Sequence, residues 1–184
     1  MKTLIINGSP RKNGNTVTLL NELKKHLKDE VFQVDTYYAK SSPCYDCRHC
    51  WTNAECIIKD EMQDVFRMID KADNFIIASP IYFGNLTGSL LNWASRLQYF
   101  WVSRRIRKEE PISKKHRKGV VILICNAGKD NIDAAIFSGK DLLQKAKAEC
   151  CEVLLWTDSD GANQPSSILN MDKIISLANT LNTQ

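Results

Sequence analysis

The sequence has no run of apolar residues long enough to cross a membrane. Its longest such run, Val120–Cys125, has six residues, whereas a membrane-spanning helix needs about 20. The amino terminus also lacks the apolar stretch of a signal peptide, because Met1–Ile6 runs directly into the turn-forming residues Asn-Gly-Ser-Pro. We therefore expect a cytoplasmic protein with no membrane partner.

Glycine and proline are scarce as well, with eight and five among 184 residues. This scarcity excludes a collagen-like chain and a disordered chain rich in Pro and Gly. Apolar residues make up 43% of the chain and charged residues 25%, which is typical of a chain that buries a core. Length and composition together predict one domain over residues 1–184.

Short apolar runs alternate with segments whose apolar residues recur at helical spacing. This alternation predicts an α/β fold with a parallel sheet and helices on both faces, for which a doubly wound topology is the commonest. The predicted strands are Leu4–Ile6, Val31–Val34, Phe75–Ala78, Val120–Cys125 and Val153–Trp156. The predicted helices are Val17–Leu27, Met62–Ile69, Thr87–Phe100, Ala135–Ala146 and Ile168–Leu181. Two irregular segments, 38–59 and 101–118, are too long for ordinary connections and are expected to be functional.

The loop Gly8–Thr16 joins the first strand to a helix amino terminus, where free backbone N–H groups and the helix dipole attract an anion. Ser9, Asn15 and Thr16 supply neutral hydrogen-bond donors, and Arg11 supplies a charged one. The spacing matches neither the triphosphate pattern G-x-x-x-x-G-K-[ST] nor the dinucleotide pattern G-x-G-x-x-G. The loop therefore predicts a cradle for one terminal phosphate, with a plain turn rich in Gly and Pro as the alternative.

Four of the seven cysteines lie within thirteen residues, which is typical of metal or redox chemistry in a reducing compartment. These four are Cys44, Cys47, Cys50 and Cys56. Four thiolates suit a [4Fe–4S] cluster or zinc, and consecutive C-x2-C steps favour the cluster. Zinc and free thiols remain alternatives, and His49 is a further candidate ligand. Cys125, at the end of the fourth strand, is interpreted as a core residue.

With the segment Ser79–Asn85 (SPIYFGN), the loop Gly8–Thr16 resembles the flavodoxin-like NAD(P)H-dependent FMN reductase family. The four clustered cysteines, placed before Asp60-Glu61-Met62, make the chain similar to the iron–sulfur flavoprotein branch of that family. The resemblance implies a five-stranded sheet of order 2-1-3-4-5, one FMN per subunit, NAD(P)H as cosubstrate, and a homodimer or homotetramer.

The resemblance also implies roles for individual residues, which fall into a phosphate group and a ring group. Those expected to hold the FMN phosphate are Ser9, Arg11, Asn15 and Thr16. Those expected to border the flavin ring and ribityl chain are Pro80, Ile81, Tyr82, Phe83, Gly84 and Asn85, with Asn126, Ala127 and Gly128 of loop 126–130 beside the ring. Taken without the phosphate loop, the run from Ile81 to Phe83 is equally consistent with an apolar strand end.

The net charge of +4 is unevenly distributed, because the window from Arg96 to Lys118 carries +7. A solvated surface is the simpler interpretation of this basic segment. A functional interpretation is a clamp for the 2′-phosphate and pyrophosphate of NADPH. Tyr99, Phe100 and Trp101 just upstream could pack across a subunit interface. No nucleic-acid-binding signature accompanies the segment, so we expect no nucleic-acid partner.

These features predict an FMN-dependent NAD(P)H oxidoreductase. Bound flavin would carry the electron chemistry, so no catalytic acid or base is assigned. Electrons would pass to a small acceptor (a quinone, nitro compound, azo compound or metal) or to an iron–sulfur cluster. One alternative is a non-enzymatic electron carrier that serves a ferredoxin-type partner. The other is a redox- or metal-sensing module that serves a protein partner.

Overall fold

A computed structural model describes residues 1–28, 30–113, 116–126, 132–157 and 171–183. Its five strands form one all-parallel sheet of order β2-β1-β3-β4-β5. The strands are β1 (Lys2–Asn7), β2 (Glu30–Asp35), β3 (Asn74–Pro80), β4 (Lys118–Ile124) and β5 (Glu149–Trp156). This arrangement confirms the flavodoxin-like, doubly wound sheet and its order 2-1-3-4-5.

The helices follow the predicted alternation with one addition. They are α1 (Asn15–His26), α2 (His49–Thr52), α3 (Met62–Lys71), α4 (Gly88–Ala94), α5 (Gln98–Val102), α6 (Asp133–Lys145) and α7 (Met171–Asn182). The short α2 lies inside the cysteine-rich segment and was not predicted from periodicity, because one turn leaves no repeating pattern. The predicted start of the last helix, Ile168, falls outside the described residues. None of the described helices is both long and apolar enough to cross a membrane.

Alternate residues of the central strands pack on opposite faces of the sheet, since side chains in a strand alternate. In β1, Leu4 and Ile6 pack in the layer that contains α3, α4 and α6, whereas Ile5 packs in the layer that contains α1 and α7. All three side chains are fully buried. The near-continuous apolar runs therefore arise because both faces of a parallel sheet are covered.

The predicted helix Thr87–Phe100 is longer and less regular than expected. After α4 comes a 3₁₀ turn over Ser95–Leu97, then α5, and then a π-helical turn over Ser103–Arg107. Lys108 ends this run with a left-handed backbone, φ = 60°. Residues 101–107 are therefore helical rather than part of an irregular segment, which corrects the predicted boundary at residue 101.

The interpretation of the basic segment as a solvated surface is wrong for two of its arginines, because Arg96 and Arg117 are buried. The Arg117 guanidinium donates to the carbonyls of Ala72 and Ala146, each with a shortest N···O distance of 2.7 Å. These residues end α3 and α6, where a cation offsets the negative end of the helix dipole. Burial lowers the pKa of Arg117 to about 10, so it stays protonated at neutral pH. Phe100 is also buried and cannot face a partner subunit.

Candidate functional site

The loop that follows β1 is held in shape by a buried asparagine. The Asn7 side-chain carbonyl accepts a 3.0 Å hydrogen bond from the Ser9 amide, and its Nδ2 donates to Asp35 at 2.8 Å. The Gly14 amide then donates to the Arg11 carbonyl at 3.2 Å, which closes the loop before α1 begins. These contacts fix the course of the backbone that the sequence predicted as a phosphate cradle.

Close packing explains the glycine at the start of this loop. A Cβ atom at Gly8 would lie 3.0 Å from the side chains of Leu90 and Thr87. That separation is tighter than ordinary van der Waals contact, so a larger residue would push the loop away from α4. Gly8 thus lets the loop lie directly against the amino terminus of α4.

The amino terminus of α1 is suited to an anion. Its N-cap residue, Gly14, makes no side-chain cap hydrogen bond, and the first turn contains no acidic residue. Ser9 and Thr16 are buried beside this end of the helix, and Arg11 is exposed at its rim. Helix dipole, backbone amides and guanidinium together favour a phosphate dianion at this position. The residues present therefore fit the phosphate of a nucleotide cofactor.

A tight turn follows β3. Tyr82 and Asn85 exchange two backbone hydrogen bonds, of 2.9 and 3.0 Å, and so form an isolated antiparallel bridge. The two residues between them have positive φ angles, 52° at Phe83 and 74° at Gly84, as in a type I′ turn. Glycine adopts such angles freely, but phenylalanine does so only with strain, and the Phe83 side chain is fully exposed. Strain combined with an exposed aromatic ring is typical of a functional loop.

The loop and the segment after β3 meet at the carboxyl edge of the sheet, around a cavity of about 150 Å³. This edge lies where the strand order reverses, the usual ligand site of a doubly wound sheet. Eight of the predicted residues line the cavity, namely Ser9, Arg11, Asn15, Thr16, Pro80, Ile81, Tyr82 and Asn126. Phe83, Gly84 and Asn85 lie in the adjoining turn rather than in the cavity wall, and Ala127 and Gly128 lie outside the described residues.

Four residues of this cavity were not predicted individually: Pro10 and Gly14, which lie in the predicted loop Gly8–Thr16, and Ile124 and Cys125, which lie outside it. Cys125 is buried, as the core interpretation required, but it also lines the cavity. Its position was a usable signal, because it directly follows β4 and the carboxyl ends of parallel strands face the ligand. A thiol therefore lies in the wall of the candidate flavin site.

The four clustered cysteines line a second, larger cavity of about 690 Å³. None of these four cysteines forms a disulfide; Cys44 and Cys47 are exposed, and Cys50 and Cys56 are half-buried. Burial raises the pKa of the Cys50 thiol, and the charges of Cys56, Cys44 and Cys47 raise it further. The four cysteines therefore face one cavity and influence the ionisation of Cys50 together with its burial.

The spacing of the four cysteines along the chain, rather than their positions in the fold, favours one of the candidate ligands. Among the described residues, no three His, Cys, Asp or Glu side chains converge closely enough to hold a single metal ion. A zinc ion needs such convergence, because four thiolates bond to one atom about 2.3 Å away. The preference for a cluster over zinc therefore rests on the consecutive C-x2-C steps of the sequence.

The helical run from α4 to Arg107 contacts the cysteine loop, which is the segment 42–58 that contains the four clustered cysteines. The Cys44 amide donates to the Ser95 hydroxyl at 2.8 Å, and the Tyr99 hydroxyl donates to the Ala54 carbonyl at 2.9 Å. The Arg107 guanidinium donates to the Cys50 carbonyl. These contacts span more than forty residues of sequence, so the loop is built by tertiary contacts with this helix rather than by its own periodicity.

Comparison with solved structures places the fold in the flavodoxin-like class of α/β proteins. The FMN-dependent NADH-azoreductase from Bacillus anthracis, solved in complex with FMN, matches with a TM-score of 0.71 and 15% sequence identity. The match covers 100% of this chain and 100% of the azoreductase. At this level of identity the likeness establishes the fold alone.

The family follows from the sequence comparisons. The family model for NADPH-dependent FMN reductase matches residues 1–144, and the chain belongs to that family. An iron-sulfur flavoprotein of Archaeoglobus fulgidus is 33% identical over 100 residues, which are 53% of this chain and 46% of that protein. An iron-sulfur flavoprotein of Methanocaldococcus jannaschii is 33% identical over 129 residues, or 67% and 61% of the two chains. The chain spans about half the length of the first of these relatives.

Proposed function

We propose that this protein is an FMN-dependent NAD(P)H oxidoreductase that passes electrons to a small acceptor or to an iron–sulfur cluster held by its four clustered cysteines. The observation that carries the proposal is the cradle between β1 and α1, where buried hydroxyls, an uncapped helix terminus and an arginine surround one cavity. Membership of the NADPH-dependent FMN reductase family supports the assignment of that cavity to FMN.

The cradle would bind the terminal phosphate of the cofactor. Ser9 and Thr16 contribute hydroxyl donors from buried positions, and Arg11 contributes charge at the rim. A monoester phosphate with two negative charges matches this combination of helix dipole and guanidinium better than a neutral ligand does. Asn7 keeps the loop in this conformation without contributing to the lining of the cavity.

The turn after β3 would position the ring system. The Ile81 amide donates to the Ile124 carbonyl at 2.8 Å, which anchors the start of the turn to β4. Within the described part of the chain, no backbone carbonyl accepts from the amides of Phe83 and Gly84, which leaves them available to the polar edge of a flavin. When bound, FMN supplies the hydride and single-electron chemistry.

The cysteine quartet would hold a [4Fe–4S] cluster, with Cys44, Cys47, Cys50 and Cys56 as its thiolate ligands. The relatives named iron-sulfur flavoproteins support this part of the proposal. A non-enzymatic electron carrier is the second candidate function, because a quartet with two exposed thiols would let a cluster exchange electrons with a protein partner.

An absorbance spectrum of protein purified without oxygen tests both cofactors. We expect flavin bands together with a broad absorbance that is lost on exposure to air. Consumption of NADPH or NADH by the same protein, after addition of a quinone or an azo dye, supports the oxidoreductase. Absence of flavin contradicts the whole proposal, whereas bound flavin with no nicotinamide oxidation favours the electron carrier.

The Cys47→Ser variant separates the two cofactors. We expect it to lose the iron signal and to keep bound FMN, because Cys47 lines the second cavity and not the flavin cavity. The matched control is Cys151→Ser, which alters an exposed cysteine of β5 and should keep both groups. Loss of FMN from Cys47→Ser would show instead that the cysteine loop is required to build the flavin site.

A further inference from the structure

Arg96 is a fully buried cation at the wall of the cysteine cavity, with only 1% of its side chain exposed. Its Nη1 donates to Asp60 Oδ2 at 2.7 Å and to the Ser42 carbonyl at 2.9 Å. A buried guanidinium is costly unless it is paired and hydrogen-bonded. Asp60 supplies the countercharge, and Ser42 is the residue two positions before the first clustered cysteine.

The other terminal nitrogen of Arg96 contacts the far end of the same loop. Nη2 donates to Cys56 Sγ at 3.4 Å and to the Ile58 carbonyl at 3.3 Å. The planar guanidinium therefore joins the chain just before Cys44 to the chain at and after Cys56. The Nε–H of Arg96 is buried and has no hydrogen-bond partner within the part of the chain that the structure describes.

Asp60 completes the closure of the loop. Its Oδ2 also accepts a 2.9 Å hydrogen bond from the Ser42 amide, and its Oδ1 accepts one of 3.1 Å from the Met62 amide. The carboxylate thereby contacts the start of the segment 42–58 and the start of α3, whereas Arg96 contacts both ends of that segment. Arg96 and Asp60 form one charge pair around which the entire cysteine loop is closed.

We propose that Arg96 is the positioning residue of the cysteine quartet, which closes the loop 42–58 and holds a fixed positive charge against Cys56. This role rests on the proposed iron–sulfur function. A group held by four thiolates carries net negative charge, and a guanidinium hydrogen-bonded to one ligand sulfur offsets part of it. The same charge favours the reduced, more negative form of the group. Among the hydrogen bonds of the described residues, Arg96 donates to the sulfur of Cys56 and to no other sulfur of the quartet, so the quartet is electrostatically asymmetric.

Two variants of Arg96 separate its charge from its shape. Arg96→Gln removes the charge and most of the N–H donors of the guanidinium. Arg96→Lys keeps the charge, but its single ammonium group cannot reach the four acceptors at once. The matched control is Arg105→Gln, which removes an exposed charge from the same helical run. Each protein is reconstituted with iron and sulfide without oxygen, and iron content, reduction potential and bound FMN are measured. Hydrogen exchange at the amides of Ser42 and Cys44 is measured before reconstitution.

For Arg96→Gln we expect about 10–100-fold weaker iron binding, as is typical when a group that orients a metal ligand is removed. Any cluster that does form should have a lower reduction potential, and FMN should stay bound. Arg96→Lys should bind iron weakly but keep a potential near that of the unmodified protein. Exchange at Ser42 and Cys44 should be faster in both variants and unchanged in Arg105→Gln.

Iron binding, potential and amide exchange that are all unchanged in Arg96→Gln would overturn the inference. If Arg96→Gln does not fold, the same criteria applied to Arg96→Lys decide it. Failure of the unmodified protein to assemble any cluster would instead overturn the iron–sulfur part of the proposed function. In that case amide exchange alone decides the role of Arg96 in closing the loop.

Discussion

The hydroxyl of Thr87 donates a 2.8 Å hydrogen bond to the carbonyl of Gly8. The Thr87 amide in turn donates a 3.2 Å hydrogen bond to the hydroxyl of Ser79 in β3. Thr87 is fully buried and directly precedes α4. One residue therefore joins the loop Gly8–Thr16, the end of β3 and the helix whose continuation contacts the cysteine loop.

Thr87→Val tests this connection while preserving side-chain shape. The Gly8 carbonyl would lose its partner in a buried position, so we expect the free energy of unfolding to fall by about 1–3 kcal/mol. Urea denaturation of the FMN-free protein measures the change. The control is Thr180→Val in α7, because the Thr180 hydroxyl donates within its own helix to the Ser176 carbonyl. This variant should change the free energy of unfolding by no more than about 0.5 kcal/mol. Equal effects of the two variants would contradict the assigned role.

Arg11→Ala should weaken FMN binding by about 1–3 kcal/mol, roughly 5- to 150-fold in Kd, through loss of a charged hydrogen bond to phosphate. Fluorescence titration of the FMN-free protein with FMN measures the affinity. Because riboflavin lacks the phosphate, its affinity should be unchanged. The control Arg67→Ala removes an exposed arginine of α3 that does not line the flavin cavity. Unchanged FMN affinity in Arg11→Ala would remove this residue from the site.

Phe83→Asn tests whether the strained turn serves ligand binding. Asn-Gly is the preferred pair for a type I′ turn, so relief of strain should stabilise the FMN-free protein by about 1 kcal/mol. FMN binding should become weaker, because the exposed aromatic surface beside the cavity is lost. Phe137→Asn is the control, since Phe137 is also exposed but lies within α6. A variant that is more stable and binds FMN as tightly as before would contradict a functional role for the strain.

Asp60→Asn tests the charge pair with Arg96. Burial on its own would raise the pKa of Asp60, but hydrogen bonds from Arg96 and the Ser42 amide outweigh burial and lower it. At neutral pH the variant leaves Arg96 buried without its countercharge, so we expect a loss of about 3–5 kcal/mol in unfolding free energy.

The effect of Asp60→Asn should depend on pH with a defined sign. Because the folded-state pKa of Asp60 is lowered, its stabilisation is complete above the unfolded-state pKa of about 3.9 and disappears as the pH falls through the lower folded-state value. Urea denaturation at pH 7 and at pH 3 measures the difference between variant and unmodified protein, which should shrink in acid. The exposed Asp172→Asn is the control, with an expected change below about 1 kcal/mol. A pH-independent difference would contradict the charge-pair explanation.

The cavity of the candidate flavin site shows how much of a site can be predicted from local sequence patterns. The eight predicted residues that line the cavity come from three strand ends, and each could be placed because parallel strands present their carboxyl ends at one edge. Cys125 lies at the same edge, but the sequence predicts it as a core residue. A local apolar run shows that a residue is buried and does not show whether it also lines a site. The positive φ of Phe83 had no local signal at all, since phenylalanine seldom adopts it.

The sequence by itself determined the alternation of strands and helices, the position of the loop Gly8–Thr16, and the spacing of the four cysteines, because each is expressed in residues adjacent along the chain. Only the tertiary structure decided that the side chains of Arg96 and Arg117 are buried, unlike most other cations of the basic segment. Their partners, Asp60 for one and the carbonyls of Ala72 and Ala146 for the other, lie 29 to 45 residues away. A cluster of charges along the sequence predicts cations that are exposed to water. Whether one of them is buried depends on hydrogen-bond acceptors that only the folded chain brings within reach.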